Sequence, residues 1–228
     1  MESFTKDIIN YSIKNKLSHI PSALSMSTYV NFLFKNNIVT PYKDKIVLGK
    51  PFGSQTYYLI WKKMGLLKNI EKLSVGVKHN EIDFVDYGEE TMGNALGVGI
   101  GIALCNKNNR VWVNITDATL QMGSTLEALQ YIGQKNLKNI LLTVDNNSYQ
   151  VTDKTSNIID ITPVIKMAKL YNWNVITCNG HSEEEMKLKI KITNEPTLIN
   201  FKTKKGFDVN YMEKNPIKWH YKNIENEI

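Results

Sequence analysis

Arginine is almost missing from this 228-residue chain: the basic residues number 28, and all but Arg110 are lysine. Bidentate reading of base edges needs the guanidinium fork. The lysines are also dispersed among 22 acidic residues rather than gathered in a stripe, so the net charge of +6 describes a solvated surface and not a nucleic-acid face. Cysteine is nearly as scarce. Cys105 and Cys178 stand in apolar surroundings with no CxxC or His-rich spacing, which supports neither a disulfide framework nor a zinc site and fits a reducing, cytoplasmic setting. No apolar run approaches the roughly 18–20 residues of a membrane span. The start, MESFTKDIINYSIKNK, lacks the apolar core and cleavage site of a secretory signal, and its acidic residues argue against a transit peptide. What remains, 42% apolar and 22% charged residues, is the composition of one globular domain.

Segments rich in β-branched residues recur at IDFVDY (82–87), VWVNIT (111–116), NILLTV (139–144), WNVITC (173–178) and TLINFK (197–202). Between them Leu126, Leu129 and Ile132 or Gly133, then Val164, Ala168 and Tyr171, follow helical spacing. The alternation predicts parallel βαβ units, an α/β fold with helices on both faces of one sheet. Ser124 followed by Glu127 has the form of a capping box, and Pro163 sits where a first-turn proline is tolerated. Residues 1–80 read as helical, with amphipathic stretches at 22–35 and 54–65. Residues 81–203 form the βα core, and 204–228 form an extended tail whose Trp219 and His220 either hang free or wrap onto the body.

The informative stretch runs from Asp117 to Asn147. One apolar strand delivers Asp117 at its carboxyl end and a second delivers Asp145, Asn146 and Asn147 at its own, thirty residues later, which is about the length of one βαβ unit. Neighbouring parallel strands so connected have their tips side by side, where open α/β sheets bind ligands. A carboxylate and an amide oxygen are hard donors suited to Mg²⁺ or Ca²⁺ bridging phosphate oxygens. Either residue alone is explained as simply by turn formation.

The same stretch, ITDATLQMGSTLEALQYIGQKNLKNILLTVDNNSYQ, resembles the thiamine diphosphate signature of transketolases, which begins Gly-Asp-Gly and ends in an Asn-containing turn. SHIPSALSMSTYVNFLF (18–34), KDKIVLGKPFGSQTYYLIWKKMG (43–65), EETMGNALGVGIGIAL (89–104) and the later segments WNVITCNGHSEEE, TLINFKTKKG and YMEKNPIKWHYKN are similar to successive transketolase blocks in collinear order. The resemblance implies a three-layer parallel sheet of the diphosphate-binding kind, with thiamine diphosphate and Mg²⁺ as cofactors, Ca²⁺ or Mn²⁺ being able to substitute. By it Asp117, Asn147 and the Tyr149 carbonyl are the metal ligands. Phe52, Glu90, Thr91, Met92, Ala118, Asn147 and His220 line the cofactor, and His19 and His220 are catalytic. It covers only the diphosphate-binding part of a transketolase. It therefore implies the N-terminal subunit of a split enzyme, assembled as a dimer of heterodimers. A C-terminal subunit would supply the pyrimidine pocket and the activating glutamate, and the pair would move a two-carbon ketol unit from a ketose, or its phosphate, to an aldehyde. Neither nucleic acid nor membrane is an expected partner.

Several positions depart from the pattern. Thr116-Asp117-Ala118 replaces Gly-Asp-Gly, although the Ala118 N–H is expected to remain for a phosphate. Phe52 replaces a histidine, Pro21 a glycine, and Met122 a glutamate in the path between the two active sites. Glu127 is accounted for by its capping role. A 2-ketoacid decarboxylase or acyl transferase subunit is the alternative enzyme that Phe52 makes conceivable, and a catalytically silent interaction subunit is the one the altered motif suggests. GVGIG is not GxGxxG, so its glycines read as close helix packing. His79 matches a family histidine at a shorter spacing, and His181 reads as a strand-end residue of structural role.

Overall fold

The computed structural model describes residues 3–50, 52–71, 73–78 and 80–222; His79 lies outside them. The chain runs α1 (Ser3–Lys14), α2 (Ile20–Lys35), β1 (Lys45–Leu48), α3 (Gln55–Lys63), β2 (Tyr87–Gly88), α4 (Ala95–Cys105), β3 (Val111–Thr116), α5 (Gly123–Lys135), β4 (Ile140–Asn146), α6 (Thr155–Ile158), α7 (Thr162–Leu170), β5 (Asn174–Asn179), α8 (Glu183–Lys189), β6 (Thr197–Lys202) and α9 (Asn210–Lys214). The six strands form one parallel sheet in the order β2-β1-β3-β4-β6-β5.

Side-chain alternation divides the core in two. Ile46, Leu48, Trp112, Leu141, Ile199 and Phe201 face one way, into the cluster built with Tyr29, Phe32 and Trp61 of α2 and α3. Val47, Val111, Val113, Leu142, Val144 and Leu198 face the other, against Leu96, Leu129, Ile132 and Ala168 of α4, α5 and α7. Both faces are covered, as parallel sheets require. Polar side chains inside the first core satisfy one another: Asn114 Oδ1 accepts from Tyr29 (3.1 Å) and Thr143 (2.7 Å), and the Trp112 indole donates to Thr143 (2.8 Å).

Three local expectations are corrected. A strand lies within the stretch read as helical, at Lys45–Leu48, because KIVL is wholly apolar apart from its first residue and pairs on both sides, with β2 and β3. IDFVDY does not form a strand as a whole; Ile82, Phe84 and Val85 are buried by an irregular turn, and only Tyr87–Gly88 joins the sheet. Ser124 does not cap α5. The helix starts from Met122, and the Ser124 hydroxyl donates to the Gly93 carbonyl at 2.7 Å, tying α5 to the turn before α4. The tail wraps rather than hanging free: Gly206 N–H bonds Pro21 O at 2.9 Å, and Val209, Met212 and Trp219 pack on Ile8, Ile20 and Leu24. No helix among the described residues is long and apolar enough to cross a membrane.

Candidate functional site

From β1 the chain moves to β2 on one side and then to β3 on the other, so the loops leaving β1 and β3 diverge and open a crevice at the strand tips. Asp117, 1% exposed, stands there at the end of β3. Its Oδ2 accepts from the Ser148 N–H (2.8 Å) and the Thr155 hydroxyl (2.9 Å), and its Oδ1 from the Ala118 N–H (2.9 Å). Burial raises the carboxyl to about 6 in spite of these bonds. The Ser148 bond brings the Asn147 turn to Asp117. Asn147 Oδ1 accepts from Tyr149 N–H at 3.1 Å, and its amide donates to Asp145 Oδ2 at 3.1 Å. Asp117 and Asn147 thus share one corner, with Tyr149 following on the same turn. Ala118, by contrast, spends its N–H on the neighbouring carboxylate instead of leaving it for a ligand.

The residues expected on the opposite wall also come together. His19 is held in the left-handed region (φ 59°) just before α2. Its ring stacks on Phe52 at 4.7 Å and meets His220 edge-on at 4.9 Å and Tyr221 at 5.0 Å. The Ser18 hydroxyl lies 2.7 Å from His19 Nδ1. Burial, then the nearby Lys205, lowers His19 to about 4 and His220 to about 3, so both imidazoles are neutral. Met92 lies instead at the β3 tip, where the Thr116 hydroxyl contacts its sulfur at 3.9 Å, and Glu90 and Thr91 are exposed on the turn before α4.

Three contributors, Lys205, Lys50 and Glu89, escaped sequence reasoning. Lys205, 2% exposed, donates to Tyr149 O (3.2 Å), Gln150 O (3.1 Å) and His220 Nδ1 (2.7 Å), and burial lowers it to about 8. An ammonium only donates, so His220 Nδ1 accepts and its Nε2 carries the hydrogen. Lys50 and Asp145 form an ion pair, 2% and 0% exposed, joined by Ser25 (2.6 Å to Asp145) and by Thr203. Burial opposes the Asp145 anion, but Lys50 overrides it and holds the carboxyl below its ordinary value. Glu89 takes the Asn94 and Ala95 N–H groups at the start of α4 on Oε1, leaving Oε2 buried without a partner. A lysine after an apolar strand and a doubled acid before a glycine-rich helix were the available signals. Both are weak in a chain so rich in lysine.

The site fits a metal–diphosphate group on its own chemistry. Among the described residues no cluster of three His, Cys, Asp or Glu side chains gathers to hold a metal; the donors are instead one carboxylate, one amide and one carbonyl, a set suited to an ion that completes its shell with phosphate oxygens. Among the described residues Lys205 is a buried cation bonded to neutral acceptors alone, and Glu89 Oε2 is a buried acceptor awaiting a donor.

Residues 74–201, just over half of the chain, match the family model described as thiamine pyrophosphate enzyme, C-terminal TPP binding domain. A transketolase of Rattus norvegicus is 27% identical over 196 residues, covering 80% of this chain and 31% of that protein, so the chain spans about a third of such relatives. One subunit of the apulose-4-phosphate transketolase of Phocaeicola vulgatus is 24% identical, covering 96% of this chain and 86% of its own length. In fold, the chain superposes on transketolases from Leishmania mexicana (TM-score 0.77, 17% identity, 91% of this chain and 37% of that one) and Campylobacter jejuni (0.75, 18%, 96% and 39%). The chain therefore belongs to the thiamine pyrophosphate enzyme family through its TPP-binding domain, and its relatives there include transketolases, one of them named as a single subunit of its enzyme.

Proposed function

We propose that this chain is the diphosphate-binding subunit of a two-subunit, Mg²⁺-dependent transketolase that moves a two-carbon ketol unit from a ketose or ketose phosphate to an aldehyde. The observation that carries the reading is the meeting of Asp117, Asn147 and Tyr149 with buried Lys205 and two neutral histidines in one crevice. The two-chain assembly draws on the P. vulgatus relative, which is named as one subunit of a transketolase and is nearly matched end to end.

Asp117, Asn147 and the Tyr149 carbonyl would hold Mg²⁺, and Lys205 would offset the remaining charge of the diphosphate. When bound, thiamine diphosphate supplies the stabilisation of negative charge on the transferred carbon fragment. His220 presents Nε2–H as a donor to a substrate oxygen, because Lys205 fixes its tautomer. With Nδ1 bonded to Ser18, His19 keeps Nε2 for a second hydroxyl, and a ring lowered to about 4 stays neutral near pH 7 and serves there as a hydrogen-bonding group. Phe52, stacked on His19, gives that wall an apolar ring that offers no hydrogen bond. A silent subunit is the second reading, favoured by one observation: Ala118 N–H is bonded to Asp117.

Calorimetric titration with thiamine diphosphate and Mg²⁺ tests the reading. Saturable heat that requires Mg²⁺ and falls at least tenfold in affinity in Asp117→Ala is expected. Ketol transfer is expected only after a pyrimidine-domain chain is added. No heat, with no change on Asp117→Ala, would overturn the assignment in favour of the silent reading, and heat without turnover in the reconstituted pair would overturn the ketol-transfer activity.

A further inference from the structure

On β4 the residues alternate, so that Asp145 and Asn147 face the crevice while Asn146 between them faces α7. There a cavity of about 240 Å³ opens between α7 and the β5–β6 edge of the sheet, lined by Asn146, Asn200, Thr177, Lys166, Lys169 and Lys202 among others. We propose that this cavity binds the phosphate group of a small phosphorylated metabolite, at a site separate from the crevice at the strand tips.

Three features carry it. The first is charge. None of the three lysines has a carboxylate within ion-pair distance among the described residues. Asp160 is the acidic group whose field reaches Lys202 and Lys166, but its Oδ1 already accepts from the N–H (2.9 Å) and hydroxyl (2.8 Å) of Thr162. The cavity keeps about two positive charges in excess, matching a dianion.

The second is hydrogen bonding held in place by two buried amides, with the exposed Thr177 hydroxyl as the group left to meet an occupant. Asn146 and Asn200 are 5% and 3% exposed. The Asn146 amide donates to Asn200 Oδ1 at 3.0 Å, and the Asn200 amide donates to the Thr177 hydroxyl at 3.5 Å. Thr177 accepts in this relay, so its own O–H is left to donate to an occupant. Buried amides oriented in this way are built into the sheet, unlike lysines that only happen to share a surface. The third is size: the volume lies just under the ~300–1,000 Å³ of drug-sized ligand sites, which suits a phosphate ester of a few further heavy atoms.

The test is titration of the full chain at low ionic strength with glycerol 3-phosphate, inorganic phosphate and, as a neutral control, glycerol. Saturable binding of the phosphates but not of glycerol is expected, with displacement of the Asn146 and Asn200 side-chain NH₂ resonances in ¹H–¹⁵N spectra. Lys166→Gln/Lys202→Gln should weaken it at least tenfold. Lys107→Gln/Lys138→Gln, which removes the same charge at the opposite end of the sheet, should change it less than twofold. Tighter binding of the ester than of phosphate identifies a phosphorylated metabolite as occupant, and equal affinity identifies phosphate itself; both support the site. Absence of saturable binding, equal loss in both double variants, or resonance shifts confined to the surroundings of Lys205 would overturn it. Thiamine diphosphate titration of the Lys166→Gln/Lys202→Gln variant should be unchanged, so this proposal and the proposed function fail separately.

Discussion

Lys50 and Asp145 show what a buried charge demands of its neighbours. Four side chains converge on the Asp145 carboxylate, and Lys50 also donates to Ser22 O at 2.8 Å. Removing one partner strands the other, so Lys50→Met should cost about 3–5 kcal/mol in urea denaturation, whereas Lys50→Met/Asp145→Leu should recover most of it. His181 carries a pH prediction away from the crevice. It stacks on Phe207 at 3.6 Å and its Nε2 accepts from Lys204 N–H at 2.9 Å, and burial lowers it to about 4. The unfolded state, with an ordinary value near 6.5, takes up the proton first. The stability from keeping the ring neutral is therefore complete above about pH 6.5 and is lost as pH falls towards 4, by at most about 1.4 kcal/mol per pH unit. Denaturation midpoints across pH 4.5–7 should show a flatter slope in His181→Phe. Asp117 and Asn147 were legible because each ends an apolar strand. Lys50 and Lys205 were not, since nothing in one sequence separates two buried lysines from the many that are solvated.

At the scale of elements, two glycines in helices give opposite forecasts. A Cβ on Gly133 of α5 would come within 2.0 Å of the Tyr171 carbonyl oxygen, while one on Gly97 of α4 meets nothing within 4 Å. Gly133→Ala should cost roughly 2–3 kcal/mol through overpacking, and Gly97→Ala should gain about 0.5–1 kcal/mol from helix propensity; thermal or urea unfolding separates them. Packing also explains which elements could be read in advance. β3 and β6 coincide with their apolar runs, and β4 and β5 lie within a residue or two of theirs. β1 was hidden because four residues flanked by lysines carry no period of their own and become a strand only by pairing on both sides. Residues 82–85 looked like a strand because burial in a turn selects the same apolar side chains as burial in a sheet.

For the whole molecule, the returning tail joins stability to the crevice. Trp219, 4% exposed, packs on the first two helices one residue before His220, and Lys205 lies where the tail begins. Trp219→Ala should cost about 3 kcal/mol and also weaken thiamine diphosphate binding, both measurable on one preparation by denaturation and calorimetry. Phe52→His, on the surface against His19, should leave stability within about 0.5 kcal/mol and alter the preference among ketose donors in the reconstituted enzyme. β4 sets a different kind of limit. Its tip addresses the crevice with Asp145 and Asn147 and the lysine-lined cavity with Asn146, purely by parity along the chain. Deleting or inserting a single residue between Ile140 and Asn147 would turn both sets of side chains inside out at once.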